Sequence, residues 1–362
     1  MRWKGVHVAG TGVWLPEPVP AQSAVRSGRY DPEQCASDDL LSVVVADDGV
    51  NPPDMAVQAA TTALKRSGLD AQDVELLVHT SIWFQGVEMW PAASYVAGQA
   101  LGRHVPAFGL QQECNAGLGA LEVAARHVQS GPPTAAAMVT TADRFGEPLI
   151  KRWSSEPGFV YGDGASALLL SRRAGFATLL ATASGADNSL EAVVRGPGFR
   201  PLPSGEPLDL AGRVEHFIAT TNGGFRVATE RVTRVVREVV ATVLAEAGTD
   251  LDGIARVVVP AGGRSRMDWQ MQVLGIPLAK SSWDFARTVG HLGAGDQFAG
   301  LDHLVAEGHV TAGDKVLIVG SGSGFSCTCA VLEITEQPAW AARPATGSRT
   351  ASASAAGSGE AS

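Results

Sequence analysis

Two stretches of this 362-residue chain hold side chains that could do covalent chemistry together. The first is GLQQECNAGLGALEVAARHV, where an apolar, strand-like VPAFGL runs into small residues around Cys114 and then into a helical pattern. A cysteine at a helix N-terminus meets free backbone N–H groups and the positive end of the macrodipole, and both favour the thiolate. That is the setting of a nucleophile, although a buried structural cysteine fits the same position. The second stretch is RTVGHLGAGDQFAGLDHLV, with His291 and, five residues on, Asp296 in the loop before a helical segment. A thiol, an imidazole and a carboxylate supply the nucleophile, base and orienting group of covalent acyl transfer. Taken singly, Asp296 also reads as a helix N-cap and His291 as an ordinary loop histidine. The other histidines (His7, His79, His104, His127, His216, His303 and His309) carry no pattern beyond that.

For these groups to meet, the chain must bring distant segments together, and an internal repeat supplies the means. MAVQAATTALKRSGLDAQDVELLVHTS reads as an amphipathic helix, a stop at Gly68 and an apolar strand, and VTRVVREVVATVLAEAGTDLDGIARVVVPAGG repeats it with Gly248 in the equivalent place. NAGLGALEVAARHVQSGPPTAAAMVTT is echoed by FAGLDHLVAEGHVTAGDKVLIVGSG, and GDGASALLLSR by GSGFSCTCAVLEI. Three matching pairs in one order imply a duplicated βαβ-type unit, so two similar halves each built on a helix-covered sheet. Related by a pseudo-twofold axis, equivalent helix starts converge, and Cys114 then faces His291 and Asp296. The expected division is an N-terminal half over 1–175, a C-terminal half over 176–334 and a disordered Pro/Ala/Ser/Gly tail over 335–362, with Trp340 able to pin its first residues. The glycine run Gly320 to Ser326 lacks the Lys-Ser/Thr ending of a P-loop and leads into a strand. It reads as a tight turn, with Gly324 and the Cys114 amide as candidate oxyanion donors.

Bulk properties exclude several classes. Apolar residues make up 45% and charged residues 18%, too apolar for a disordered chain. No apolar run approaches the roughly 20 residues of a membrane span, and the opening MRWKGVHVAG has no signal-peptide core, so a cytoplasmic location is expected. Cys35, Cys114, Cys327 and Cys329 show no paired ligand spacing, so neither metal nor cofactor is expected, and Cys327 and Cys329 fit a strand core. A net charge of -9 argues against nucleic acid as a partner. Trp83, Trp90, Trp153, Trp269 and Trp283 fit either cores or the wall of an acyl pocket.

From Val6 to about Ile334 the chain resembles the ketoacyl-acyl-carrier-protein synthase III branch of the thiolase superfamily. The resemblance rests on AGTGVWLP, ECNAGLGAL, YGDGASALLL (Tyr161 to Leu170), VVVPAGG and GSGSGF, in the family's order and at about its spacing. It implies a five-layered αβαβα fold, a homodimer, and acyl loading of Cys114 from an acyl carrier protein or coenzyme A. Arg264 and Arg266, where condensing relatives have a basic rim, are then candidates for binding the donor.

The chain departs from the condensing members at two positions. Where they carry a histidine in a VPHQAN-like motif, this sequence has Ala261, and where they carry the asparagine of HGN it has His291. Alanine cannot donate a side-chain hydrogen bond to the enolate of a decarboxylative condensation. His291-x4-Asp296 instead resembles a smaller subgroup of actinobacterial antibiotic pathways, whose Cys-His-Asp set forms esters on hydroxyls of sugars or cyclitols. The expected activity is therefore O-acyl transfer to a small hydroxyl acceptor, with a decarboxylating ketosynthase or a catalytically idle partner subunit as alternatives.

Overall fold

The computed structural model describes residues 1–201 and 205–342. Its strands are β1 (His7–Trp14), β2 (Pro18–Pro20), β3 (Ser42–Val44), β4 (Val74–Thr80), β5 (Ala107–Leu110), β6 (Ala136–Asp143), β7 (Gly164–Ser171), β8 (Ala177–Ala186), β9 (Ile254–Val258), β10 (Lys315–Gly322) and β11 (Ser326–Ile334). Apart from the β2–β3 ribbon they form one sheet in the order β5-β4-β6-β7-β1-β8-β11-β10-β9. Apart from the edge strand β5, the order is symmetric about the β1–β8 junction. In each half a parallel pair, β4 with β6 or β10 with β9, is followed by two antiparallel partners, β7 and β1 or β11 and β8. The halves join where His7 pairs with Thr178 and Val8 with Ala177.

Helices set the other layers. Pro52–Ser67 covers the outer face of β1, β6 and β7, and Gly224–Ala247 covers β8 and β11. Helices Ala116–Ser130 and Asp296–Ala306 each touch strands of both half-sheets and so lie between them, completing the five-layered thiolase-like arrangement of two similar halves. Both long outer helices stop at a left-handed glycine, Gly68 and Gly248, each with φ of 68°. A glycine there satisfies the last turn without a Cβ clash. Every residue of β6 and β7 is buried, which explains their unbroken apolar reading.

The central layer is apolar where the two inner helices meet the sheets, with Leu118, Leu121, Phe298 and Leu301 packed on Val139, Leu168, Val258 and Ile318. Each such side chain contributes about 1.5–3 kcal/mol by leaving water. On the outer face, Ala56, Ala59, Ala60 and Ala63 recur at helical spacing and lie flat on β1. The approach is so close that a Cβ on Gly12 would stand 2.2 Å from the Ala59 carbonyl oxygen.

Of the tail expected from Thr335, residues 335–342 run back along the body. Thr335 N–H donates to the Phe176 carbonyl, the Trp340 ring meets Phe176 edge-on, and the Arg66 guanidinium sits 4.1 Å from the Trp340 ring centre. Residues 343–362 lie outside the described part. Among the described residues no helix is long and apolar enough to cross a membrane.

Candidate active site

Cys114 lies in the short 3-10 turn Glu113–Asn115, which runs directly into helix Ala116–Ser130. Asn115 fixes that turn to β11. Its Oδ1 accepts from the Thr328 N–H at 3.1 Å, while its Nδ2 donates to Ser326 Oγ at 3.0 Å and Thr328 Oγ1 at 3.1 Å. The glycines of the GSGSGF run have a plain steric purpose here. A Cβ on Gly320 would stand 2.8 Å from Asn115 Oδ1, and one on Gly322 would stand 2.4 Å from the Gln112 carbonyl oxygen. Gly320 and Gly322 are thus the last part of β10, made bare so that the cysteine turn can lie on it. Gly324 follows in the turn to β11 with φ of 128°, beside the Gln112 side chain.

His291 is delivered from the other half by an equally tight construction. Gly290 has φ of 76°, and a Cβ there would stand 2.8 Å from the Val160 carbonyl oxygen. His291 N–H donates to that oxygen at 2.8 Å, and Gly162 N–H donates to the His291 carbonyl at 2.9 Å. The two central helix starts converge as the repeat requires: a Cβ on Gly117 would stand 2.5 Å from the Ala294 carbonyl oxygen. Cys114 Sγ consequently lies 3.0 Å from His291 Nε2, and His291 Nδ1 lies 2.6 Å from Asp296 Oδ2.

Asp296 is buried and its oxygens are fully used. Oδ2 also accepts from the Ala261 N–H and Oδ1 from the Leu292 N–H, both at 2.7 Å. An ionised carboxylate only accepts, so Nδ1 carries the ring proton and Nε2 faces the sulfur. Burial alone would lower the pKa of His291, but Asp296 and then Cys114 outweigh it, and the ring's pKa lies well above that of free histidine. Burial pushes the Cys114 thiol up, and His291 works against that rise. The arrangement can therefore pass a proton from sulfur to imidazole and hold the resulting imidazolium against Asp296.

Several neighbours carried no signal in the sequence. Asp143, at the end of β6, is wholly buried; its Oδ1 accepts from Ile82 and Trp83 N–H, and its Oδ2 from Ala294 N–H at 3.3 Å. Burial lifts its pKa to about 7 despite those donors. Arg152 grips Asp163 with both guanidinium nitrogens, at 3.1 and 3.0 Å, and also donates to the Tyr161 and Phe145 carbonyls. This clamp sets the segment that carries Phe159 and Tyr161, whose rings pack 4.7 and 5.7 Å from the His291 ring. Breaking such a buried pair costs on the order of 3–5 kcal/mol.

The remaining sequence candidates are placed as follows. Arg264 donates its Nε to both oxygens of Asp268 at 3.0 Å and has Asp39 at 3.9 Å from Nη1. Arg266 turns inward, its guanidinium 3.7 Å over the Phe159 ring and 3.9 Å from Glu156. Cys327 and Cys329 are buried on β11. His79 is buried between Thr140 and Gln85, and burial lowers its pKa to about 4. Trp153 and Trp283 are core residues, whereas Trp83 borders the apolar cluster of Phe145, Ile150 and Tyr161. Among the described residues there is no cluster of side chains suited to a metal ion.

Known proteins resemble this chain in sequence and fold. The model of 3-oxoacyl-[acyl-carrier-protein] synthase III matches residues 108–188, and that of its C-terminal part matches residues 244–334. The β-ketoacyl-[acyl-carrier-protein] synthase III of Rhizorhabdus wittichii is 28% identical over 294 residues, 80% of this chain and 86% of that protein. The corresponding enzyme of Clostridium perfringens is 23% identical over 289 residues, 78% of this chain and 85% of its own. Among solved structures, the acyltransferase ChlB3 superimposes with a TM-score of 0.88 and 38% identity, covering 93% of this chain and 99% of ChlB3. The 3-oxoacyl-[acyl-carrier-protein] synthase III of Aquifex aeolicus shares the fold at a TM-score of 0.72 and 23% identity, covering 91% of this chain and 99% of its own. With the symmetric fold and the sequence motifs in place at the junction of the halves, the chain belongs to the 3-oxoacyl-[acyl-carrier-protein] synthase III family of the thiolase superfamily, among whose members are acyltransferases.

Proposed function

We propose that this protein is a thioester-dependent O-acyltransferase that carries an acyl group on Cys114 and passes it to a hydroxyl of a sugar- or cyclitol-type acceptor in natural-product biosynthesis. The observation that carries this reading is Asp296 Oδ2, which takes both His291 Nδ1 and the Ala261 N–H. At the position where condensing relatives hold a histidine, alanine contributes only its backbone, and that backbone serves the carboxylate that orients His291.

In the first half-reaction His291 Nε2 takes the Cys114 proton, the sulfur attacks the donor thioester, and the imidazolium protonates the departing donor thiol. In the second, His291 takes the proton of the acceptor hydroxyl, the oxygen attacks the acyl carbon, and the proton returns to the Cys114 sulfur as it leaves. Gly324 and Cys114 backbone N–H groups are the proposed donors to the tetrahedral oxyanion. The donor is an acyl carrier protein or coenzyme A thioester, with Arg264 the candidate of the two arginines to meet it, because Arg266 turns inward over Phe159 and faces Glu156. The apolar cluster of Phe145, Ile150 and Tyr161, bordered by Trp83, is the proposed wall of the acyl site.

We also propose a homodimer. β5 is a sheet edge whose Phe108 is 61% exposed, with Val123 exposed beside it, and an unpaired apolar edge is a template for a second copy. Sedimentation at micromolar concentration tests it, and a persistent monomer refutes it.

The function is tested by offering the acyl-loaded enzyme a malonyl carrier protein and a polyhydroxylated acceptor together. Ester formation without carbon dioxide supports the reading. A β-ketoacyl product with carbon dioxide and no ester replaces it with a decarboxylating ketosynthase, and failure of Cys114 to load with any donor replaces it with an idle partner subunit.

A further inference from the structure

The residues around His291 include a charged group that the mechanism above does not use. Glu156 opens a tight turn, Glu156-Pro157-Gly158-Phe159, closed by Phe159 N–H donating to the Glu156 carbonyl, with Gly158 at φ of 77°. Proline second and a positive-φ glycine third is the composition of a type II turn, so the geometry is written into the sequence. The turn is anchored from outside by the Gly263 N–H, which donates to the Gly158 carbonyl at 2.9 Å. On this rigid base the Glu156 carboxylate receives the Tyr161 hydroxyl at 2.5 Å and faces the Arg266 guanidinium at 3.9 Å. Tyr161 and Phe159 pack against the His291 ring, and Arg266 covers Phe159, so Glu156 is one side chain away from the base.

We infer that Glu156 is a specificity-determining residue of the proposed reaction: held by Tyr161 and Arg266 next to the Cys114–His291 pair, it favours a neutral hydroxyl-bearing second substrate over one that carries its own carboxylate. The inference rests on the function proposed above for its biological meaning, though not for its electrostatics. Two effects act together. Glu156 balances the charge of Arg266, the cation over Phe159, and so leaves that cation without a vacancy for a malonate-type group. Its remaining lone pairs can accept hydrogen bonds from hydroxyls, the donor that a polyol offers and a malonyl thioester lacks. The Glu156 charge is felt at Cys114, where it adds to the effect of burial in raising the thiol.

The test compares two alkylating reagents of nearly equal size on the full-length protein, neutral iodoacetamide and anionic iodoacetate, with Cys114 adducts followed by intact mass. In Glu156→Gln, which keeps the shape and can still accept from Tyr161, the ratio of iodoacetamide to iodoacetate rates at Cys114 should fall by about tenfold, since a unit charge removed from a partly buried site acts at this scale. An unchanged ratio in a variant with wild-type melting behaviour overturns the inference. A second variant, Tyr161→Phe, releases the carboxylate from its hydrogen bond while keeping its charge. It should retain most of the discrimination, and a loss equal to that of Glu156→Gln would assign the effect to packing and also overturn it. No acceptor enters these measurements, so they stand apart from the ester-forming reading. Ester formation by the wild type with an unchanged ratio retires Glu156 alone, whereas a changed ratio without ester formation retires the proposed reaction alone.

Discussion

The Ala261 backbone N–H points at Asp296 Oδ2 across 2.7 Å, and the same oxygen lies 2.6 Å from His291 Nδ1. One carboxylate oxygen is therefore shared between a main-chain donor on the loop after β9 and the imidazole that reaches Cys114. The loop fixes the carboxylate, the carboxylate fixes the ring, and the ring thereby turns Nε2 toward the sulfur.

If Cys114 is the acyl carrier, Cys114→Ala abolishes the donor-derived mass adduct. Cys327→Ala and Cys329→Ala leave it intact, because both thiols are buried on β11 away from solvent. An adduct that persists on the Cys114→Ala protein removes the basis of the proposed function.

His291→Ala should leave the thiol able to become acylated, slowly, and should cut transfer to a hydroxyl acceptor by roughly 10² to 10⁴, the usual loss for a general base. Single-turnover kinetics of the pre-loaded enzyme separate the two steps. Unchanged transfer from the pre-loaded variant would mean that His291 acts only on the first, and would overturn its role as base toward the acceptor.

Asp296→Asn tests the sign of the electrostatics. After burial, which lowers it, Asp296 is the strongest influence on the His291 pKa and raises it. Without that charge the ring loses its proton at lower pH, so the acid limb of the transfer profile moves to lower pH while the plateau falls. The raised His291 pKa also contributes stability that is full below about pH 6.5 and is lost as pH rises through the folded-state value. Denaturant unfolding should accordingly show the largest deficit of Asp296→Asn in mild acid, narrowing on the alkaline side. A deficit that is flat with pH would contradict the coupling.

Gly322→Ala places a Cβ 2.4 Å from the Gln112 carbonyl, one residue before the turn that carries Cys114. Overpacking of this kind costs about 1–3 kcal/mol. Displacing the sulfur relative to His291 should slow Cys114 loading by about 10²-fold. Gly49→Ala, where a Cβ meets nothing within 4 Å, is the matched control. Similar loading rates in the two variants would show that the glycine run has no part in placing the nucleophile.

The repeat carried most of what the sequence could reveal. Apolar periodicity and the stops at Gly68 and Gly248 mark the duplicated units, and duplication alone sets Cys114 opposite His291 and Asp296. Other features are silent in one dimension. Asp143, Glu156 and the Arg152–Asp163 clamp look like surface charges in sequence because nothing local says that they are buried or paired. The glycine run from Gly320 reads as a turn, whereas Gly320 and Gly322 stand in β10 itself and are bare because a segment some 200 residues earlier lies on them. Arg264 and Arg266 are two residues apart on a helix turn, and only the structure separates an arginine paired with Asp268 from one lying over Phe159.

The seam between β1 and β8 is narrow, two paired residues wide, so most of what joins the halves lies in the helices between the sheets. Each half-sheet is closed by contacts within its own stretch of chain, while the reactive constellation takes its sulfur from one half and its imidazole from the other. The strands of the first half-sheet lie within residues 7–171, a stretch that holds Cys114 but not His291. The Cys114–His291 contact exists only where the start of helix Asp296–Ala306 meets the start of helix Ala116–Ser130, so neither half alone contains the pair.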